Sequence, residues 1–459
     1  MNLFPCWAAR AAAAGVSNGR PAVTGLPVVL LGLVLACGAP AAATAEAPRT
    51  DPSQIAALVA EALANNPEIA TAQSELEAAR QRVPAAGALD DPMLELGIVN
   101  AALAPLSLQR EDMTMKMLGL GQRLPFPGKR GLRRAVAEAD ADSIGLAVRE
   151  IANRVERDVR VAYEELAFNE EAQRIVIESR VALEQLAALA RSRYEVGQAA
   201  QSDALDAHIE LERLEVELLQ LQSDNAALQS GLQRLLGRSG ETPRIQAAAP
   251  RLAADPGPDP ASLDAVIGDR PQLQALEALV ERSSRSVELA RREYYPDFDV
   301  KLQYGQRERA PDGVARDDMV SLTVGFNLPI WRKSRLEPQV AGALAMRRQA
   351  QSLLRAQQLE TQAALATQLA VARQWRATAE RYQDTLLPQA RAATASALAA
   401  YRVGRVDFLT LRQAQLREFS VSADLAKAIA SHNKAIAEIG LLVGHDMQQT
   451  GGDRGRSQS

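Results

Sequence analysis

The side chains that most often bind metals or attack substrates are scarce in this sequence of 459 residues. Cys6 and Cys37 both lie in the N-terminal segment, so the remaining chain has no disulfide and no cysteine-based zinc site. His208, His432 and His445 are scattered without paired ligand spacing, and we interpret each as an ordinary residue of a helix surface. No glycine-rich phosphate loop and no convergent set of nucleophile, acid and base is recognisable. The sequence therefore predicts a protein that is not an enzyme and needs no cofactor and no bound metal.

Composition and charge point to long helices and argue against nucleic-acid binding. The chain has 52 Lys and Arg against 56 Asp and Glu, a net charge of −4, which lacks the basic footprint of a nucleic-acid-binding protein. Hydrophobic residues make up 47% of the chain but aromatic residues only 4%, a balance that suits Ala- and Leu-rich helices better than a compact mixed core.

Residues 1–45 have the pattern of a targeting signal. An apolar run over 26–36 is followed by small residues up to Ala45. Two processing routes stay open, namely cleavage after Ala45 or lipidation of Cys37, which ends a stretch that resembles a bacterial lipobox. No run of about 20 apolar residues follows, so a membrane crossing would require β-strands in a closed barrel.

The sequence contains an internal duplication. Four pairs of motifs carry the repeat. Three pairs are separated by 204 positions: Leu-Pro at 124–125 and 328–329, Asp-Pro at 91–92 with Tyr-Pro at 295–296, and Asn-Pro at 66–67 with Arg-Pro at 270–271. The fourth pair, Tyr-x-Val-Gly at 194–197 and 401–404, is separated by 207 positions. Four matches in the same order predict a duplicated unit of helix, strand, loop, strand, Leu-Pro, long helix, turn and long helix.

Each half contains two segments that alternate between apolar and polar residues, as strands of an outer-membrane barrel do. In the first half we assign these positions to the apolar face: Leu94, Leu96, Ile98, Met113, Met115 and Met117, the methionines being opposite Thr114 and Lys116. In the second half the apolar positions are Phe298, Val300, Leu302, Tyr304, Val320, Leu322, Val324, Phe326 and Leu328. Because a spanning barrel needs about eight strands, four strands per chain require oligomerisation.

A long stretch without proline predicts a helical hairpin from about Arg133 to Leu236, broken near Gly197. Asn225 is the one polar member of a heptad series of leucines on the returning arm, where such a residue can fix the register of packing. The second half repeats the hairpin from about Gln339 to Leu442, and Pro388 is predicted to kink its first arm.

These features resemble the TolC-like outer-membrane factor family over residues 46–445. The duplicated strand pairs, the Leu-Pro elbows and the Val-Gly turns carry the resemblance, and Leu-Pro-Phe-Pro-Gly-Lys at 124–129 looks most like members that export cobalt, zinc, cadmium or copper. The resemblance implies a mainly α fold with a β-barrel part. In this fold a homotrimer contributes four strands per chain to a twelve-stranded outer-membrane barrel above a periplasmic α-helical tunnel.

The same resemblance implies the location and the partners of the protein. It places the chain in the outer membrane of a Gram-negative bacterium, in contact with lipid and with a large periplasmic extension. Its partners would be a periplasmic adaptor protein and an inner-membrane efflux pump of the RND type.

The resulting division of the chain is as follows: signal segment 1–45, N-terminal equatorial helix 46–90, strand pair 91–124, helical hairpin 125–240, linker and equatorial helix 241–294, second strand pair 295–328, second helical hairpin 329–445 and disordered tail 446–459.

The resemblance also implies roles for residues at the helix turns. The tip motifs of the family, which dock the adaptor, match Val196, Gly197, Gln198, Val403, Gly404 and Arg405. Turns that only join two helices would explain the glycines equally well, because glycine relaxes the end of a helix.

A gate of the periplasmic aperture is the second implied site. Asp203, beside Ser202 and near Asp206, matches the position of an aspartate that narrows this aperture in family members. A helix cap is the alternative for Asp203. The comparable positions of the second half hold Thr410 and Gln413, which carry no charge.

The elbows Leu124, Pro125, Leu328 and Pro329 are predicted to redirect the chain between strand and helix, since proline fixes φ and removes a donor. Lys129 and Lys333, just past the elbows, are expected to meet water or lipid headgroups.

We therefore expect a passive outer-membrane duct of a tripartite efflux system, with heavy-metal ions as candidate cargo. The alternative is a periplasmic coiled-coil adaptor that bridges the two membranes. It would account for the heptads, but it leaves the two strand pairs without a role.

Overall fold

The computed structural model describes residues 52–103, 106–198, 200–240, 242–254 and 267–444. The predicted signal segment, with Cys37, and the tail 446–459 lie outside the described residues, as does His445. Within the described part of the chain, no helix combines the length and the apolar content needed to cross a bilayer.

The first half begins with two helices and ends in a long helical hairpin. Its elements are α1 (Pro52–Asn65), α2 (Pro67–Gly87), β1 (Met93–Val99), the short strands β2 (Ala102–Leu103) and β3 (Leu106–Ser107), β4 (Met115–Leu124), α3 (Lys129–Glu195) and α4 (Gln201–Leu235). The 67 residues of α3 correspond to a length of about 100 Å at 1.5 Å per residue.

The region 46–90, predicted as one helix, contains two, and the break has a local cause. Pro67 occupies the first turn of α2, and the Asn66 side chain caps this helix by accepting a hydrogen bond from Glu68 N at 2.8 Å. The Asn66 amide also donates to the carbonyl of Leu235 at 2.8 Å, which ties the break to the end of α4.

The second half repeats the order of elements. It contains α5 (Pro271–Arg292), β5 (Phe298–Arg307), β6 (Met319–Phe326), a π-helical turn (Arg332–Leu336), α6 (Glu337–Arg381), a second π-helical turn (Tyr382–Leu386), α7 (Leu387–Arg402) and α8 (Phe408–Val443). The second π-helical turn ends two residues before Pro388, which cannot donate a hydrogen bond inside a helix. The sequence predicts a kink at this position, and the structure shows that the hydrogen-bond ladder changes type there.

The four long strands form one antiparallel sheet in the order β1-β4-β5-β6. Directly paired residues share a face, and Leu96 pairs with Leu118, which pairs in turn with Tyr304. The exposed apolar face that results, here called the apolar sheet face, comprises Leu94, Leu96, Ile98, Leu118, Leu120, Leu124, Phe298, Val300, Leu302, Tyr304, Val320, Leu322, Val324 and Phe326.

One assignment of the strand pattern is wrong. The sequence analysis assigns Met113, Met115 and Met117 to the apolar face. Met115 and Met117 instead lie on the opposite, polar face, and Lys116 lies beside the leucines. Met113 precedes β4 and belongs to neither face. Since side chains alternate along a strand, the pairing of Leu96 with Leu118 fixes the face of every other residue of β4. Lys116 is near the end of the strand, where its Nζ forms an ion pair with Glu308 at 2.6 Å.

The helices pack around separate hydrophobic clusters. At the base of the first hairpin, α1, α3 and α4 bury a cluster that includes Leu58, Val159, Leu166 and Leu232. At the base of the second hairpin, α6 and α8 bury a corresponding cluster around Leu365 and Ile439. These residues recur every three or four positions, so the helical period of the sequence accounts for both cores.

Asn225 is buried in the first hairpin, at the heptad position that the sequence indicates. Its amide donates to Oδ1 of Asn169 on α3 at 3.2 Å, and Asn169 donates to the carbonyl of Leu221 at 3.1 Å. A buried amide pair is satisfied in one alignment of the two helices only, and this observation gives Asn225 the register-fixing position.

Candidate functional site: helix-turn tips and elbows

The first helix-turn tip is closed by a glycine in the left-handed region. Helix α3 is capped at Val196, and Gly197 has a φ of +75°. The amide of Gly197 donates to the carbonyl of Tyr194 at 2.9 Å and that of Gln198 to the carbonyl of Arg193 at 2.8 Å. These two bonds form a Schellman motif, which requires a residue that tolerates positive φ.

The second tip has the same construction. Val403 caps α7, Gly404 has a φ of +76°, and its amide donates to the carbonyl of Tyr401 at 3.0 Å. The amide of Arg405 donates to the carbonyl of Ala400 at 2.9 Å. The repeated Val-Gly motif therefore encodes the same backbone turn twice.

Both tips present an apolar side chain to solvent. Val196 is 65% exposed and Val403 is 68% exposed. The glycines and the residues that follow them, Gln198 and Arg405, are exposed as well. The two tips thus combine accessible backbone with an exposed valine, which is a surface that a partner can cover.

The two tips differ in the tyrosine that precedes each Val-Gly pair. Tyr194 is 45% exposed, whereas its counterpart Tyr401 is 2% exposed. The guanidinium of Arg193 lies 4.8 Å from the centre of the Tyr401 ring and donates a hydrogen bond to the Tyr401 carbonyl. Burial raises the pKa of the Tyr401 phenol. Arg193 of the first hairpin therefore supports the turn of the second hairpin, a contact that the sequence analysis missed.

A shared core lies beneath the tips. The Phe408 ring meets the Tyr401 ring edge-on, with the ring centres 6.0 Å apart. These rings pack with aliphatic residues from both hairpins: Leu183, Leu186, Ala190, Ala207 and Leu411. The sequence signal for this core is the Tyr-x-Val-Gly motif together with Phe408, which follows the helix cap Asp407. The tips consequently form one unit.

The predicted gate residues lie on the first turns of α4. Ala200 holds the N-cap position of this helix, and no side chain caps it. Asp203 is therefore three positions inside the helix, and the capping alternative for this residue is wrong. It lies close enough to Tyr401 for its charge to act on the phenol. Ser202 is exposed.

Asp206 faces a cation of the second hairpin. The Arg412 Nη1 on α8 lies 3.8 Å from Asp206 Oδ2 and 3.7 Å from Glu210 Oε1. The uncharged Thr410 and Gln413 flank this arginine, so the second hairpin contributes a positive charge to this level of the bundle. Attraction between Arg412 and the two carboxylates holds the hairpins together here.

The first elbow is joined to the start of the second strand pair. The Phe126 ring, which follows Leu124 and Pro125, stacks on the Tyr295 ring with centres 4.7 Å apart. Leu328 and Pro329 of the second elbow are followed by the exposed residues Ile330 and Trp331. Leu124 is the last residue of β4, whereas Pro125, Leu328 and Pro329 lie between a strand and the helix or helical turn that follows it.

The prediction that Lys129 is exposed is wrong. It was expected to meet water or headgroups, but it is fully buried, with 0% of its surface exposed. Its Nζ lies 2.8 Å from Asp297 Oδ1, 3.1 Å from Glu293 Oε2 and 3.0 Å from the Tyr295 carbonyl. A buried ammonium is tolerated because carboxylates neutralise it and its donors have acceptors. Lys333 is exposed.

The histidines do not gather into a metal site. His208 is exposed, whereas His432 is buried on α8 with Nδ1 2.9 Å from the Ala372 carbonyl. The interpretation of His432 as a surface residue is therefore wrong, since its helix packs on α6 over this face. Among the described residues, no group of three His, Cys, Asp or Glu side chains is arranged to hold a metal ion.

A half-buried carboxyl group lies between the two halves. Glu164 on α3 accepts a hydrogen bond from the Asn433 amide on α8 at 3.0 Å. Burial raises the pKa of the Glu164 carboxyl to about 7, against the opposing effects of Asn433, Lys434 and Arg160. Its neighbour Glu165 pairs with Lys434 at 3.2 Å and is more exposed.

Comparison with known proteins identifies relatives for both halves. The family model described as outer membrane efflux protein matches residues 58–238 and 263–445. The cobalt-zinc-cadmium resistance protein CzcC of Cupriavidus metallidurans is 27% identical over 261 residues, which cover 56% of this chain. The match spans 60% of the length of CzcC.

Two solved structures have a similar fold. The structure of CusC, described by its conformational changes during folding and transmembrane channel formation, superposes with a TM-score of 0.72 at 17% identity, covering 86% of this chain and 92% of CusC. The outer membrane protein VceC of Vibrio cholerae superposes with a TM-score of 0.71 at 18% identity, covering 86% of this chain and 97% of VceC.

Proposed function

Because the chain belongs to the outer membrane efflux protein family, we propose that it forms the outer-membrane channel of a tripartite efflux system. In this role it is a passive conduit that carries solutes from a periplasm-spanning pump complex to the exterior of a Gram-negative cell. The observation that carries the proposal is the apolar sheet face, which remains exposed although each strand is fully paired along its inner edges.

The apolar sheet face fits contact with lipid. The most exposed members of this face include Leu96, Leu322 and Val320. Their side chains do not pack against any helix of the described residues. The opposite face carries polar residues such as Glu95, whose carboxylate pairs with Lys301. A strand that is apolar towards lipid and polar towards a lumen is the pattern of an outer-membrane barrel.

Aromatic residues mark the elbow end of the sheet. Phe298 and Phe326 pair across β5 and β6, and Tyr295 and Trp331 lie just beyond the strand ends with exposed rings. Aromatic side chains of this kind gather where a membrane protein passes from hydrocarbon to water. The elbows would therefore lie at the periplasmic surface of the outer membrane.

The sheet edges support assembly. Within the described residues, β1 and β6 each have one edge without a partner strand. Unpaired edges cannot remain in hydrocarbon, because their amides and carbonyls would lack hydrogen bonds. Three copies that pair β6 of one chain with β1 of the next would close a barrel of twelve strands.

The two tips are the proposed contact with a periplasmic adaptor. They combine the exposed valines with accessible backbone at Gly197 and Gly404, and they are held in one unit by Arg193. Docking on such a surface would bury both valines, each contributing about 1.5–3 kcal/mol if fully covered.

The aperture is proposed to narrow at Asp203. Three copies around a threefold axis would repel one another and attract cations. Asp206 is held by Arg412, whereas Asp203 has no ion-pair partner among the described residues, so Asp203 is proposed to supply the uncompensated charge at this level.

Heavy-metal ions are the proposed cargo class. This assignment rests on the name of CzcC, a cobalt-zinc-cadmium resistance protein, and on the Leu-Pro-Phe-Pro-Gly-Lys elbow. An RND-type inner-membrane pump would select the ion and the duct would release it.

Fractionation tests the channel role. The full chain, expressed in a Gram-negative host, should appear in outer-membrane fractions as a trimer that resists sodium dodecyl sulfate until heated. A coiled-coil adaptor would instead fractionate with the inner membrane, and a stable monomer would contradict the proposal. Deleting the gene and comparing sensitivity to zinc, cobalt and cadmium with sensitivity to drugs tests the cargo, and a drug-only phenotype would contradict it.

A further inference from the structure

The methionines of the sheet are confined to one face. Met93, Met115, Met117 and Met319 are the methionines of the four long strands, and all of them lie on the polar face. The apolar sheet face is built from Leu, Ile, Val and aromatic residues and contains no methionine. If these methionines served only as hydrophobic side chains, we would expect them on the apolar sheet face, which is proposed to contact lipid.

Three of these methionines gather around one glycine. Gly305 on β5 pairs with Met117 on β4 and with Met319 on β6, so the three residues form a row across the sheet. Neighbouring strands are about 4.8 Å apart, which places the two methionines roughly 10 Å apart at Cα with the glycine between them.

The third thioether already occupies the space above this glycine. A Cβ atom built on Gly305 would lie 2.5 Å from Sδ of Met115, which is two residues from Met117 on the same strand. The missing side chain therefore leaves a depression that the sulfur fills. Met115 and Met117 are half-buried and Met319 is 40% exposed, so solvent reaches the group.

We propose that Met115, Met117 and Met319 form a binding site for a soft monovalent cation such as Cu(I) or Ag(I). Thioethers are neutral, polarisable ligands that select soft metals over hard ones. Methionine has several rotatable bonds, so three side chains can converge on one ion over Gly305. Zn(II), which takes nitrogen, oxygen and thiolate ligands, has no suitable donors in this group.

The charged neighbours do not occupy the site. Arg307, which pairs with Met115, directs its guanidinium to the carbonyls of Asp112 and Asp317 in the adjoining loops. Further along the same face, Lys301 is neutralised by Glu95. The charge of Lys301 is therefore compensated, and the donors of the Arg307 guanidinium are directed to loop carbonyls.

The role of this site in transport rests on the proposed function, because only a closed barrel would make the polar face the wall of a lumen. The site would then hold a soft cation briefly near the outer end of the conduit. The binding itself is a property of one sheet and can be measured without any transport assay.

The test uses silver nitrate as the probe in chloride-free buffer, with the full chain purified as a trimer in detergent. Titration calorimetry should give one Ag(I) site per chain more than the variant Met115→Leu/Met117→Leu/Met319→Leu gives, because Cys6 and Cys37, which can also bind silver, are the same in both proteins. Leucine matches methionine in size, so the fold should survive. The control Met346→Leu removes an exposed methionine of α6 and should leave the titration unchanged.

A second measurement does not depend on the variants. The unsubstituted chain is labelled with selenomethionine, and absorption at the selenium edge should show silver at bonding distance. Since Cys6 and Cys37 contain no selenium, they cannot produce this signal. The proposal is overturned if the triple leucine variant binds silver as the unsubstituted chain does, or if selenium has no silver neighbour. Loss of the trimer would contradict the proposed function, whereas absence of silver from an intact trimer would contradict only this site.

Discussion

Nζ of Lys129 lies 2.8 Å from Oδ1 of Asp297, although 168 positions separate the two residues. Asp297 Oδ1 also accepts a hydrogen bond from the Phe126 amide at 2.9 Å, so the carboxylate holds both the first elbow and the start of α3. The repeat offset relates Lys129 to Lys333 and Asp297 to Met93. The ion pair therefore joins the first half of the chain to the second. Lys333 has no corresponding carboxylate, because the position equivalent to Asp297 holds Met93.

Lys129→Met should destabilise the folded chain, because it leaves the buried Asp297 carboxylate without its cation. Breaking a buried pair from one side costs about 3–5 kcal/mol. We expect a lower midpoint of thermal unfolding in detergent, measured by circular dichroism.

Lys333→Met is the matched control for that change, since the equivalent lysine is exposed. It should shift the midpoint little. The double variant Lys129→Met/Asp297→Asn should recover part of the loss, because neither residue then leaves a buried charge. An unchanged midpoint for Lys129→Met would show that the pair is dispensable.

Arg193→Ala should loosen the second tip. It removes a cation–π contact worth about 0.5–2 kcal/mol and the hydrogen bond to the Tyr401 carbonyl. We expect faster hydrogen exchange of the Gly404 and Arg405 amides, whose hydrogen bonds close the second tip, followed by mass spectrometry. Arg191→Ala, which removes only an exposed arginine paired with Glu195, should not change this exchange. Equal exchange in both variants would exclude the support that we assign to Arg193.

Glu164 should make stability depend on pH. Its folded pKa of about 7 exceeds the ordinary value of 4.5, so the folded state binds more protons between these values. The contribution of Glu164 to the free energy of unfolding is fully present below about pH 4.5. It is lost as the pH rises to about 7, and the loss is at most about 3 kcal/mol.

Glu164→Gln should therefore be more stable than the unsubstituted chain at pH 8 and nearly equal to it at pH 5. Glutamine keeps an oxygen that accepts from Asn433. The unfolding midpoints of both proteins at the two pH values give the comparison, and Glu165→Gln is the control because that carboxylate is more exposed. A stability difference of the same size at both pH values would contradict the assignment.

Leu322→Lys should impair membrane assembly. Leu322 lies on the apolar sheet face, where a lysine at the bilayer centre costs roughly 2–4 kcal/mol. The next residue, Thr323, points to the polar face, so Thr323→Lys should be tolerated. The measurement compares the yields of heat-resistant trimer of the two variants in outer-membrane fractions. Equal yields would indicate that both faces of the sheet contact water.

The sequence by itself determined the features that depend on neighbouring residues. The period-two and helical patterns predicted the strands and the long hairpins. The Val-Gly motifs predicted both turns, because a Schellman motif needs a glycine at one position. The 204-residue repeat predicted the duplicated order of elements, which the family match over both halves supports.

Tertiary structure alone decided which distant residues meet. Lys129 lies in a sequence context typical of a surface lysine, and only the fold brings Asp297 beside it. Tyr194 and Tyr401 share a motif but differ in burial because only Tyr401 packs into the core that the two hairpins share. The face of Met115 and Met117 followed from strand register, since a shift of one residue moves every side chain to the other side of a sheet. Local patterns fix the elements, whereas register and long-range pairing fix the chemistry between them.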